Sequence, residues 1–116
     1  MKITRVYADD AGESHFAEVE IALHDAGEIG HLSEAVAAKS VVFRRNDPGY
    51  DYDWHTAPRR QYIVLLDGTI EIEVSSGETR TFRGGDILLM EDTTGKGHRT
   101  RHVVPAERHS VFIILD

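Results

Sequence analysis

Short β-runs punctuated by turn residues recur along this chain, and in some of them apolar and polar residues alternate with a period of two, the signature of strands with one buried and one wet face. The clearest case is Thr69–Val74, where Ile70, Ile72 and Val74 alternate with Glu71 and Glu73. From Ser40 onward similar runs recur at Val41–Arg44, Tyr50–Ala57, Gln61–Leu66, Thr69–Val74, Glu78–Phe82, Ile87–Glu91, His98–Val104 and Ser110–Leu115. Turn-forming residues separate them at Asn46–Gly49, Asp67-Gly68, Ser75–Gly77, Gly84-Gly85 and Thr93–Gly97. Strands at this spacing predict an all-β antiparallel sandwich or barrel rather than a βαβ sheet. Asp67-Gly68 predicts a tight hairpin, because both residues tolerate the positive φ of a type I′ turn.

The first forty residues are patterned less sharply. Ile3–Tyr7 and Ala17–Leu23 read as strands, the latter alternating Val19 and Ile21 with Glu18 and Glu20. The Ala-rich stretch Ser33–Lys39 reads as a short helical turn. No repeat or low-complexity tract interrupts the 116 residues. One domain is expected over 1–116, with N-terminal strands and a connecting segment in 1–39 and a barrel in 40–116.

Composition narrows the chemistry. Cysteine is absent, so disulfides, thiolate metal sites and a cysteine nucleophile are excluded. Thirteen Lys and Arg against twenty Asp and Glu give a net charge of −7. That balance argues against broad nucleic-acid binding, which needs basic surface to neutralise phosphates. No apolar leader follows Met1-Lys2-Ile3-Thr4-Arg5, and no apolar run approaches bilayer length, so a cytoplasmic protein without membrane association is expected.

Candidate chemistry gathers in two segments. Gly49, His55, Ala57, Gln61 and Gly68 occupy, without a gap, the five marked positions of the pattern G-x5-H-x-H-x3-E-x6-G. Gly85, Thr93, Gly95, His98 and His102 follow G-x5-P-x-G-x2-H-x3-N once two residues are inserted after Gly85. These are the two cupin motifs, and the last two-thirds of the chain resembles a small single-domain cupin. The resemblance implies an antiparallel double-stranded β-helix, or jelly-roll barrel, with a pocket inside it. It also implies a divalent metal held by three histidines and a carboxylate. Here Ala57 replaces the second histidine and Gln61 the glutamate, leaving His55, Gln61 and His98 as a reduced ligand set. At most a weakly held divalent metal ion is therefore expected.

Strand parity extends this reading. With His55 inward, Asp51, Asp53 and Ala57 share its face, while Tyr50, Tyr52 and Trp54 form an outward aromatic stripe. Such a stripe suits an interface, and cupins commonly pair through a sheet face, so a homodimer is expected. His98, Thr100 and His102 share a face, but His98 and His102 lie about 13 Å apart along a strand, too far to serve one ion. Arg99 and Arg101 belong to the outer face. Arg60, just after Pro58-Arg59, sits on a turn at one barrel end and is a candidate anchor for an anionic group. Gly95-Lys96-Gly97 is not a phosphate loop, because Met90 and His98 replace its first glycine and its hydroxyl residue.

Three functions remain open. The first is metal-independent isomerase, epimerase, dehydratase or cyclase chemistry on a small polar or anionic metabolite. His55 and His98 would be the catalytic acid and base, with Gln61, Thr100 and Arg60 binding the ligand. The second is a metal-dependent oxygenase or lyase with the ion on His55, Gln61 and His98. The third is a ligand-binding or sensor module without turnover.

Overall fold

The computed structural model describes residues 1–116. Twelve strands make up nearly all its regular structure: β1 Lys2–Ala8, β2 Ser14–Glu20, β3 His24–Asp25, β4 His31–Leu32, β5 Ser40–Asn46, β6 Asp51–His55, β7 Gln61–Leu65, β8 Thr69–Val74, β9 Thr79–Arg83, β10 Ile87–Met90, β11 His98–His102 and β12 Arg108–Ile114. One sheet has the order β2-β1-β10-β7-β12-β5 and the facing one β6-β11-β8-β9, the two layers of a jelly-roll barrel. A small β3–β4 ladder stands apart from both. Pairing is antiparallel except between β1 and β10, where Thr4, Arg5 and Val6 lie beside Leu88, Leu89 and Met90 in parallel.

The alternation in the sequence carries directly into packing. Ile70, Ile72 and Val74 of β8 are buried, together with Phe82 of β9, Val6 of β1, Phe16 of β2, Leu65 of β7, and Leu88 and Met90 of β10. Each such side chain is stabilised by about 1.5–3 kcal/mol when taken fully from water. The N-terminal strands thus supply part of the same core. Against this core the two sheets leave a cavity, lined by residues of β5, β6, β7, β8, β10, β11 and β12.

Three local expectations are corrected. Asp67-Gly68 does not close a hairpin: β7 pairs with β10 and β12, whereas β8 pairs with β9 and β11. The turn carries the chain from one sheet to the other. Gly68 has φ 73°, but no residue other than glycine has positive φ, so the turn is not type I′. Ser33–Lys39 forms no helix. It lies without regular structure against the larger sheet, where Val36 shares a groove with Tyr62, Val64 and Ile113. Covering that apolar face outweighs the helix propensity of a few alanines.

The third correction concerns parity on β6. His98 lies opposite His55, but Thr100 lies opposite Tyr52 rather than Asp53, so β6 contains one extra residue at a β-bulge. Beyond the bulge the faces exchange. Tyr50 and Tyr52 turn toward the barrel interior, while Asp51 and Asp53 are exposed. The expected aromatic stripe is therefore split: Tyr52 lines the cavity mouth while staying half-exposed, and Trp54 lies on the other face beside Ser75 and Lys96.

Candidate functional site

The cavity between the sheets has a volume of about 250 Å³, just below the ~300–1,000 Å³ of pockets that take drug-sized ligands. His55, Gln61, His98 and Thr100 all line it. Gln61 and His98 are each 4% exposed, and Thr100 is also buried. The barrel gathers these four because β6 and β11 are hydrogen-bonded neighbours in one sheet, with β7 facing them from the other.

The two imidazoles meet across the β6–β11 ladder, with ring centroids 4.3 Å apart. Their approach requires Gly97. A Cβ there would lie 2.1 Å from the His55 carbonyl oxygen, and the residue holds φ 76°. His55 donates through Nδ1 to the Asp53 carbonyl at 2.7 Å. Its Nε2 is then the ring nitrogen free to accept. Burial pushes the pKa of His55 down, outweighing the hydrogen bond to Asp53, and the neighbouring His98 adds to the lowering. Tyr52 packs on the His55 ring at 3.8 Å between centroids.

His98 has a partner that no local motif indicates. Its Nδ1 donates to Asp92 Oδ2 at 2.6 Å. Asp92 is fully buried, and Ser14 Oγ from β2 approaches the same oxygen at 3.4 Å. A carboxylate accepts only, so the bond places a hydrogen on Nδ1 of His98 and, in the single-proton tautomer, leaves Nε2 as the acceptor. The sequence signal was faint: an aspartate six residues before the motif histidine, on a turn whose path the sequence does not specify.

Arg60 is not brought to the pocket. It is exposed, donating to Glu91 Oε2 at 2.8 Å and reaching Asp116 at 3.3 Å. Arg5 binds Glu91 from the other side. Although burial alone would raise it, these two guanidiniums hold the Glu91 pKa below its ordinary value. The pocket's arginines are instead Arg44 and Arg108, neither of which belongs to a motif. The β5–β12 register places them together: Arg44 lies opposite Ser110 and Asn46 opposite Arg108, all on the inward face. Both guanidiniums lie 5.5 Å from the centroid of Tyr50. His102 stands behind them, its Nδ1 donating to the Pro48 carbonyl and its Nε2 accepting from Arg108 Nε at 3.1 Å.

The donor set does not match a tight metal site. Ala57 is buried where the motif would carry a second histidine, and Gln61 supplies an amide in place of a carboxylate. Asp92 is bonded behind His98 rather than beside it, and no group of three His, Asp or Glu side chains is arranged to hold an ion. Two neutral imidazoles and an amide compete weakly with water for a divalent cation.

No family model matches the chain. It is 27% identical over 86 residues to the cupin-domain-containing oxidoreductase fogC of Aspergillus ruber, an alignment covering 74% of this chain and 41% of that protein. The chain thus spans well under two-thirds of that relative. Among solved structures, it resembles the cupin domain of Schizosaccharomyces pombe Cnp3 with a TM-score of 0.51 and 13% identity, over 99% of this chain and 88% of the other. That likeness is one of fold.

Proposed function

We propose that this chain is a cupin whose barrel pocket binds a small metabolite and moves a proton on it by histidine acid–base chemistry, without a resident metal. The observation that supports this most is the Asp92–His98–His55 arrangement: a buried carboxylate on one imidazole, and a second imidazole 4.3 Å away. His98 Nε2 takes a proton from a C–H or O–H of the ligand, and the imidazolium that forms is stabilised by Asp92. His55, its pKa lowered by burial and its ring beside that of His98, is a second proton acceptor through Nε2. Returning the proton from His98 Nε2 to a different atom of the ligand gives isomerisation. Gln61 and Thr100 orient the ligand through an amide and a hydroxyl.

The test begins with a metabolite panel read by thermal shift, since a ligand at 100 times its Kd stabilises by about 2.7 kcal/mol. Hits are then incubated in D₂O with the protein and followed by NMR. Wild type should wash deuterium into one ligand position, and His98→Gln and His55→Gln should abolish it. Exchange that survives both substitutions would overturn the acid–base reading. A tightly held metal equivalent in protein purified without added metal, lost in His98→Ala, would favour metal chemistry of the oxygenase or lyase kind instead. Binding of hits without exchange would favour a sensor.

A further inference from the structure

We propose that Arg44 and Arg108 form an anion subsite in this pocket, and that its ligand is a small carboxylate with an apolar body. The proposal rests on the reading that this cavity is the ligand site, and it names the ligand's charged end. Arg108 is 1% exposed, and its Nη1 is buried with no hydrogen-bond partner in the protein. The Nε of Arg44 is likewise buried and unpartnered. Neither guanidinium has a carboxylate within ion-pair distance: Arg108 is held by Asn46 Oδ1 at 2.7 Å and by His102, both neutral acceptors. Asp67, an acid that influences Arg108, has its carboxylate engaged by the backbone N–H and ring of His109.

Two cations therefore share a largely apolar cavity with no anion to balance them. Burial, and then the charge of Arg44, hold Arg108 below the ordinary guanidinium pKa. A space-filling arginine would turn its head to solvent or to an acid. Arg108 is instead positioned by directed bonds, and its stem is fitted against Gly68, where a Cβ would come within 3.0 Å of the arginine Cγ. Gly68 also holds φ 73°, so the turn between the sheets doubles as the cradle for this side chain.

The rest of the cavity defines the ligand's body. Tyr50, Tyr52, Phe112, Ile63, Leu65 and Ile72 present rings and aliphatic surface. A planar carboxylate matches a guanidinium fork and leaves the remaining atoms on this apolar wall. A phosphate dianion would require more donors in a cavity this small. With its carboxylate on the arginines, the ligand would extend toward His55 and His98, which line the same cavity.

Calorimetric titration of the full chain with benzoate, with its neutral isostere benzamide and with inorganic phosphate tests this. Benzoate is expected to bind at least about tenfold more tightly than benzamide, a difference of ~1.4 kcal/mol, and more tightly than phosphate. Arg44→Gln and Arg108→Gln should each remove at least that advantage, with Arg44→Lys retaining part of it. Arg44 is less buried than Arg108, so its variants keep the test available if Arg108→Gln does not fold. Equal binding of benzoate and benzamide, no benzoate binding at millimolar concentration, or unchanged benzoate affinity in folded Arg44→Gln would each overturn the proposal. Tighter binding of phosphate than benzoate would overturn the carboxylate assignment. Arginine-dependent benzoate binding by a protein that exchanges deuterium into no ligand would leave the subsite standing, so failure of the acid–base reading is distinguishable from failure of the subsite.

Discussion

Replacing Asp92 by Asn removes one charge from the buried centre of the site and leaves its shape. Asp92 is fully buried, and its Oδ2 takes the Nδ1 hydrogen of His98 at 2.6 Å, while Oδ1 has no partner in the protein. Hydrogen bonds to charged groups contribute about 1.5–3 kcal/mol, and truncating one member of a buried pair costs roughly 3–5 kcal/mol. Because Asn keeps one acceptor, the lower range applies: a loss of ~1.5–3 kcal/mol in urea unfolding, with the m value unchanged. The substitution should also disturb the ring. An amide can donate, and if its NH₂ faces His98 the imidazole proton moves to Nε2, reversing the pocket nitrogen from acceptor to donor. Long-range ¹H–¹⁵N correlation of His98 should show a clean Nδ1–H tautomer in wild type and a mixed one in Asp92→Asn. Deuterium exchange into a ligand should fall about 10- to 150-fold, the kinetic equivalent of that energy. A wild-type His98 protonated at Nε2 alone, or an Asp92→Asn protein of wild-type stability and unchanged tautomer, would refute the argument.

Three further outcomes are expected. Gly97→Ala should lose more stability than Gly77→Ala: both hold positive φ, which costs about 1–3 kcal/mol for a side chain, but a Cβ at 97 also meets His55 at 2.1 Å while Gly77 faces open space. Equal unfolding midpoints for the two would contradict that steric account. His55 has a lowered folded pKa, so the unfolded chain binds more protons between that value and about 6.5. Stability is thus present above pH ~6.5 and lost as pH falls through the folded value; His55→Gln should lose less over the same urea series. An identical pH slope in the variant would remove His55 as the cause. Arg60→Ala, which breaks two exposed ion pairs outside the pocket, should cost under about 1 kcal/mol and leave benzoate affinity unchanged. A tenfold loss of affinity, by calorimetry, would return Arg60 to the site.

The pocket's polar residues were legible in unequal measure. His55, Gln61 and His98 could be found because their spacing reports position along strands, which sequence separation measures well. Asp92, Arg44 and Arg108 could not, since each acquires its role from a partner on another strand. On β5 the local pattern even misleads: Phe43 is 80% exposed while Arg44 faces the cavity, because β5 must present Val42, Arg44 and Asn46 to Phe112, Ser110 and Arg108 of β12. Arg60 shows the converse. Its place between His55 and Gln61 suggested an anchor, but Glu91, just past the end of the neighbouring β10, pairs with it outside the pocket.

By itself the sequence determined the layered all-β architecture and most of its strands, because period-two burial is a local property that each segment carries. Ile70, Ile72 and Val74 are buried for the reason their spacing states. The sequence also determined that the motif's metal ligands were reduced, since Ala57 and Gln61 are chemical facts independent of folding. Tertiary structure alone decided which face of β6 looks inward, through one extra residue at the bulge opposite Thr100. It also decided that the Asp67-Gly68 turn crosses between sheets, and that a buried carboxylate and two unpaired guanidiniums meet around the histidines. The physical reason is common to all three: strand register is a relation between segments, set by packing across the barrel, and a shift of one residue exchanges the inner face for the outer.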